Sequence, residues 1–271
     1  MQIQVFDVEH GFCAYVIADN GNVMLIDCGH NSATGFLPGR YLTAHSCTGV
    51  ERFFVTNYDE DHLSGLPHLL TCSAQVPVRI LNRNTSITGD QLRQLKGQAG
   101  PLGPGIAALL SMISTFTASV ASPPTYPSTE FAVFWNEYPR FQDTNNLSLV
   151  LFLHYPGISI VFPGDLERPG WQALLQNSAF VSHLGRVNIF VASHHGRESG
   201  YLPQVFDICT PDVIVISDEA IQYQSQETSY AQHARGIKWN VSGTCRVLTT
   251  RGHGMLTITN RPGGYHILTS R

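Results

Sequence analysis

Glu51-Arg52-Phe53-Phe54-Val55-Thr56 runs without a break into Asn57-Tyr58-Asp59-Glu60-Asp61-His62. The first six residues, rich in aromatic and β-branched types, read as a buried strand. The next six hold three carboxylates and an imidazole. A strand that ends in ligand-type residues presents them at one edge of its sheet, and sites in open α/β sheets lie at such edges. The arrangement recurs twice. Ile158-Ser159-Ile160-Val161-Phe162 leads to Pro163-Gly164-Asp165, and Asn188-Ile189-Phe190-Val191-Ala192 leads to Ser193-His194-His195-Gly196. Three strand ends of this kind can converge on one point.

The residue types suit a metal ion. Imidazole and carboxylate are ligands of Zn²⁺, Mn²⁺ and Fe. Asp61 and His62 can place one of each beside an ion, and Asp165 can bridge two. One or two divalent ions would bring the pKa of a bound water towards neutrality and orient it for attack. Without a cation, so many carboxylates at one point would repel each other. Asn57 and Asp59 would ligate through oxygen, and an oxygen-rich set favours Mn²⁺ or Mg²⁺ over Zn²⁺. The expected ligands are therefore Asn57, Asp59, Asp61, His62, Asp165 and one of His194 and His195. Asp59, Asp61 and His195 are the candidates for the chemistry itself. Arg197 is a candidate for holding a phosphate. His10, His30 and His253 sit in glycine-containing turns, and His253 is added as a substrate-binding candidate. Ser217-Asp218-Glu219, after an apolar run at 212–217, can line the same pocket. His68 and His154 read as structural.

Outward from these clusters, strands are expected at 1–8, 12–18 and 22–27, the last two joined by an Asn20-Gly21 turn. A short helix follows at 63–71, a strand at 76–81 and a helix at 88–97. The stretch 97–129 holds a Gly/Pro-rich loop, a helix at 106–119 and a Pro/Ser/Thr-rich tail, and reads as an insertion or lid. Strands are expected at 131–135, 147–154, 158–162, 187–192 and 212–217, with a helix at 169–177. The end of the chain, 245–249, 254–259 and 264–269, reads as a closing meander. Strands first, then strands alternating with helices, make an α/β fold, and the whole of 1–271 is expected to form one domain.

Composition narrows the function. The formal net charge is −4 and the lysines number two, Lys96 and Lys238, so the basic surface of a non-specific DNA binder is missing. No apolar run reaches the length of a membrane span, and Met1–Val8 lacks the features of a signal peptide. No membrane role and a cytoplasmic setting are the expectation. The cysteines (13, 28, 47, 72, 209 and 245) show no CxxC spacing, which argues against a structural zinc knuckle.

Taken in order, Asp7-Val8-Glu9-His10-Gly11, Leu25-Ile26-Asp27-Cys28-Gly29, Thr56 to Gly65, Asn145-Asn146-Leu147-Ser148-Leu149-Val150, Phe162-Pro163-Gly164-Asp165 and Ala192-Ser193-His194-His195-Gly196 resemble the metallo-β-lactamase-fold hydrolases, most of all the ComEC-type metallo-hydrolase branch. The resemblance runs from about residue 1 to about residue 260. It implies a four-layer αββα sandwich with a metal centre at one edge of its two sheets. It also implies that Asp27 is a structural carboxylate beside the site, Asp61 and His62 are ligands, Asp165 is the bridging ligand, and His194 or His195 is the late ligand. The family loop usually reads His-x-His-x-Asp-His, whereas here Asn57 and Asp59 replace both leading histidines. The implied activity is that of a phosphodiesterase or nuclease acting on nucleic acid or a small phosphodiester. Hydrolysis of a small lactone or ester, or a scaffold whose substituted loop has lost its metal, are the alternatives.

Overall fold

The computed structural model describes residues 1–98, 100–219, 225–239 and 243–271. Its first sheet holds β1 (Gln2–Val5), β2 (Ala14–Ile17), β3 (Val23–Ile26), β4 (Arg52–Phe54) and β5 (Leu81–Asn82). The second holds β6 (Glu130–Trp135), β7 (Leu149–Tyr155), β8 (Ile158–Phe162), β9 (Ile189–Val191) and β10 (Val213–Ile216). A small hairpin, β11 (Ile237–Trp239) and β12 (Gly243–Cys245), precedes β13 (Val247–Thr249), β14 (Leu256–Arg261) and β15 (Gly264–Thr269). The strand orders are β15-β14-β1-β2-β3-β4-β5 and β13-β10-β9-β8-β7-β6.

Alternation builds the layers, because successive side chains of a strand point to opposite faces. Ile3, Val5, Met24, Ile26, Leu149, Leu151, Leu153, Ile160, Phe162, Val191 and Val215 close a core between the sheets. The intervening residues of the first sheet, such as Leu25 and Phe53, pack with Leu63, Leu66, Leu69, Leu92, Ile106 and Leu109. These come from α2 (Glu60–Leu63), α3 (Leu66–Thr71), α4 (Gly89–Gly97) and α5 (Pro104–Thr115), which share that face with α1 (Pro38–Ala44). On the far side, Phe152, Phe190 and Ile214 meet Trp171, Phe180 and Tyr230. Those belong to α6 (Arg168–Leu174), α7 (Ser178–Leu184) and α8 (Glu227–Ala231). Each such side chain contributes about 1.5–3 kcal/mol by leaving water. The result is the four-layer αββα sandwich expected from the sequence. A last short helix, α9 (Thr250–His253), joins β13 to β14.

Some expectations shift. The helix expected at 106–119 spans Pro104–Thr115, starting earlier because the Glu60 carboxylate accepts from the backbone N–H groups of Gly105 (2.7 Å) and Ile106 (3.2 Å). A carboxylate is favoured at that positive helix end. The meander at the end of the chain is corrected. β13 leaves the other two and pairs parallel with β10 in the second sheet, while β14 and β15 form a hairpin beside β1. α1, α7, α8 and α9 lie where no helix is expected. The expected strand at 76–81 is reduced to a bridge at Val78 and the two residues of β5.

All six cysteines are free. Among the described residues, no helix is long and apolar enough to cross a membrane.

Parallel pairing decides where the loops open. β3 runs parallel to β4, and β8, β9 and β10 run parallel to one another. Their C-terminal ends deliver Asp27, the 57–62 loop, Asp165, the 193–196 turn and Ser217 to one edge. The two sheets are tied there by the backbone N–H of Leu149 donating to Thr56 O at 2.8 Å.

Candidate metal centre

At that edge Asp61, His62, Asp165 and His195 each turn one ligand atom into a common space, and these atoms all lie within 4.8 Å of one another. Asp165 and both histidines are buried. His62 lies between two carboxylates, with Nδ1 2.7 Å from Asp27 Oδ2 and Nε2 3.0 Å from Asp165 Oδ1. Asp27 also accepts from the backbone N–H of Thr56 (2.7 Å) and from the Thr56 hydroxyl. It thus fixes the His62 ring so that Nε2 faces the shared space, as partners behind a metal-binding histidine do.

His195 is oriented the same way by a different group. Its Nδ1 donates to Ser217 O at 3.0 Å, and the Ser217 hydroxyl is anchored on Gly11 O at 2.7 Å. Its buried Nε2 faces Asp61 Oδ2 (3.3 Å) and Asp165 Oδ1 (3.5 Å) but makes a well-formed hydrogen bond with neither. A buried polar nitrogen normally finds a partner. An orphaned imidazole nitrogen aimed between two carboxylates fits a cation.

The charges tell the same story. Burial disfavours the His62 imidazolium, yet Asp165 and Asp27 override it and hold its pKa well above the ordinary value. Burial also opposes charge on His195, but Asp165 and Asp61 push it up to about 9. Asp61, despite burial, is held at about 2 by the neighbouring imidazoles of His195 and His62, and Asp165 is likewise held low by His62 and His195. The carboxylates draw positive charge onto both rings, and a divalent ion can supply that charge in place of protons.

The backbone is shaped to this end. Glu9, Asp27, His194 and His195 all have φ between 51° and 57°, a region costly for residues other than glycine. Gly11 lies so close to the Asp61 carbonyl that a Cβ there would collide with it.

The other candidates go elsewhere. Asn57 is turned away: its Oδ1 accepts from the Asp59 backbone N–H (2.8 Å), and its Nδ2 donates to Asn145 Oδ1 (3.2 Å) and Ser148 Oγ (3.4 Å). Asp59 Oδ1 accepts from Lys96 Nζ and from Thr144 Oγ1, both at 2.7 Å. Of the expected donors, the fold brings two imidazoles and two carboxylates together, while Asn57 and Asp59 are engaged with other partners. His194, next to His195, points to the rim. Its Nε2 accepts from Arg197 Nη1 (2.9 Å), while its Nδ1 meets Ser199 Oγ (2.8 Å) and Glu167 (3.2 Å). His253 is held by the Thr249 backbone and lies edge-on to Trp239, outside the convergence. His154 bonds Ser159 and His183.

His10, a further candidate in its glycine-containing turn, comes to the site. Its ring lies 4.2 Å from that of His195, its Nε2 is 3.5 Å from Asp61 Oδ2, and the same Nε2 accepts from Arg197 Nη2 at 2.7 Å. Burial and the His195 charge push its pKa down to about 4. Glu9 fixes this turn by accepting from the backbone N–H groups of Ser32 (3.2 Å) and Ala33 (3.0 Å). A His-Gly pair after a strand is a weak signal. Only the folded loop shows where the ring goes.

No family model and no curated protein matches the sequence. Solved structures do. The chain is similar to the metallo-β-lactamase fold protein YhfI from Bacillus subtilis, with a TM-score of 0.52 and 9% identity over 94% of this chain and 99% of that one. It is also similar to CmlA, a diiron β-hydroxylase from Streptomyces venezuelae, with a TM-score of 0.50 and 13% identity over 95% of this chain and 54% of that one. The fold is that of the metallo-β-lactamase proteins, with a group of residues able to hold a metal at its sheet edge.

Proposed function

We propose that this protein is a metal-dependent hydrolase, and that its substrates are phosphodiesters in nucleic acid or in a small molecule. The observation that carries the reading is the convergence of Asp61, His62, Asp165 and His195 around the unpartnered Nε2 of His195. Two imidazoles with two carboxylates suit Zn²⁺, Fe²⁺ or Mn²⁺ better than Mg²⁺. When bound, a divalent ion polarises a phosphoryl oxygen and activates water at neutral pH.

The chain's own residues do the rest. Asp27 and Ser217 O hold His62 and His195 by their outer nitrogens, which leaves each Nε2 for the ion. Arg197 lies at the rim, where its guanidinium donates to His10 and His194, and such a planar group suits phosphoryl oxygens. Because Arg197 donates to Nε2 of both rings, neither ring carries a proton there.

The preference for phosphodiesters rests on the ComEC-type likeness of the motifs and on Arg197. A cytoplasmic setting goes with free cysteines. The test is cleavage of bis(p-nitrophenyl) phosphate and of single-stranded DNA by protein loaded in turn with Mn²⁺, Zn²⁺ or Fe²⁺, beside a panel of lactones. Metal-dependent phosphodiester cleavage that Asp165→Ala abolishes supports the reading. Cleavage of lactones alone would replace the substrate class, and no hydrolysis with any ion would leave a metal-binding scaffold.

A further inference from the structure

Asp59 and Lys96 are not needed to build the four-donor group, yet they are fixed beside it. Asp59 Oδ1 takes hydrogen bonds from Lys96 Nζ and Thr144 Oγ1, each at 2.7 Å. Lys96, one of two lysines in the chain, is 19% exposed. It projects from the last turn of α4, a favourable place for a cation. Asn57, the other half of the same strand end, is fully buried and spends its amide on Asp59, Asn145 and Ser148. Asn57 Oδ1 and Asp59 Oδ1 are thus both committed to hydrogen bonds within the chain. A cleft of about 490 Å³ opens beside them, lined by His10, Asp59, Asp61, Lys96, Leu102 and Ile106 among others. Asp61 thus belongs both to the metal group and to the cleft.

We propose that this chain binds one divalent ion, not two, and that the Lys96 ammonium, seated on Asp59, supplies the second positive charge of the site and receives an anionic group of the substrate in the cleft. The inference rests on the metal-binding reading above and narrows it. Lys96 is a compact point charge on a flexible stem, which can reach from Asp59 to an incoming anion. Thr144 continues to hold Asp59 when it does.

Two measurements on the full-length protein test this. Protein stripped with chelator is dialysed against Zn²⁺ or Mn²⁺, and the bound ions are counted by elemental analysis. About one ion per chain is expected for wild type and for Lys96→Gln. Two ions per wild-type chain would overturn the single-ion proposal while leaving the hydrolase reading intact, whereas no ion at all would overturn both. The second measurement is the binding of inorganic phosphate to the ion-loaded protein by calorimetry. Lys96→Gln is expected to weaken it about tenfold and Lys96→Arg to restore most of the loss. Unchanged affinity in Lys96→Gln, with circular dichroism showing a folded variant, would overturn the role given to Lys96.

Discussion

Asn57-Tyr58-Asp59 and Asp61-His62 are neighbouring halves of one loop, hung on the same strand, and they do opposite things. Asp61 and His62 lie within the short helix α2 and face Asp165 and His195 across the gap between the sheets. Asn57 and Asp59 come before the helix and are tied to Lys96, Thr144, Asn145 and Ser148. The difference lies in what waits opposite each half. One meets the Asp165 carboxylate and the unpartnered Nε2 of His195, a set that suits a cation. The other meets a lysine and hydroxyls that already satisfy it. A ligand-type residue becomes a ligand only where the surrounding chain leaves its charge unbalanced.

Substitutions should separate the halves, and the largest effect is expected in the first. Asp165→Ala or His62→Ala removes a direct donor and should lower Zn²⁺ affinity by more than about 100-fold in competition with a chelating dye. A loss under about threefold would break the contrast. Asp27→Asn leaves the donors in place but removes the carboxylate behind His62, so a loss of about 10–100-fold is expected.

Acidity sharpens the same contrast. An ion must displace a proton from His195 and another from His62, so affinity should rise with pH by more than about tenfold per unit as pH climbs to about 9. In the metal-free protein the sign for stability is the reverse. The folded-state pKa of His195 is raised from 6.5 to about 9, so its contribution is full below 6.5 and fades as pH rises through 9. It amounts to about 3 kcal/mol, read as a fall in the urea midpoint over that range. Bound metal should remove most of this fall.

The smallest effect belongs to the other half. Asn57→Ala should leave Zn²⁺ affinity within about threefold, while costing about 1–3 kcal/mol in urea unfolding because buried hydrogen bonds are lost. A large loss of metal with little loss of stability would make Asn57 a ligand after all.

Much of this was legible in the sequence because the buried strands are unmistakable runs, and Asp61, His62, Asp165 and His195 stand at their ends. The choice between His194 and His195 was not legible. Adjacent residues in a turn diverge, and the left-handed backbone at both positions sends one ring to Arg197 and the other to Asp61. Asn57 and Asp59 looked like ligands because residue type alone does not show Lys96 arriving from 37 positions away. His10 was hidden for the same reason: its place depends on Gly11 packing against the Asp61 carbonyl. β13 could not be separated from the closing hairpin, since its partner β10 is distant in sequence.

Anomalous diffraction at the zinc edge from crystals of Zn²⁺-loaded protein would show whether the four strand-end residues seat an ion. The expected result is one peak about 2.0–2.2 Å from His62 Nε2, His195 Nε2 and an oxygen each of Asp61 and Asp165. A peak on Asn57 and Asp59 instead, or none among these four side chains, would contradict it.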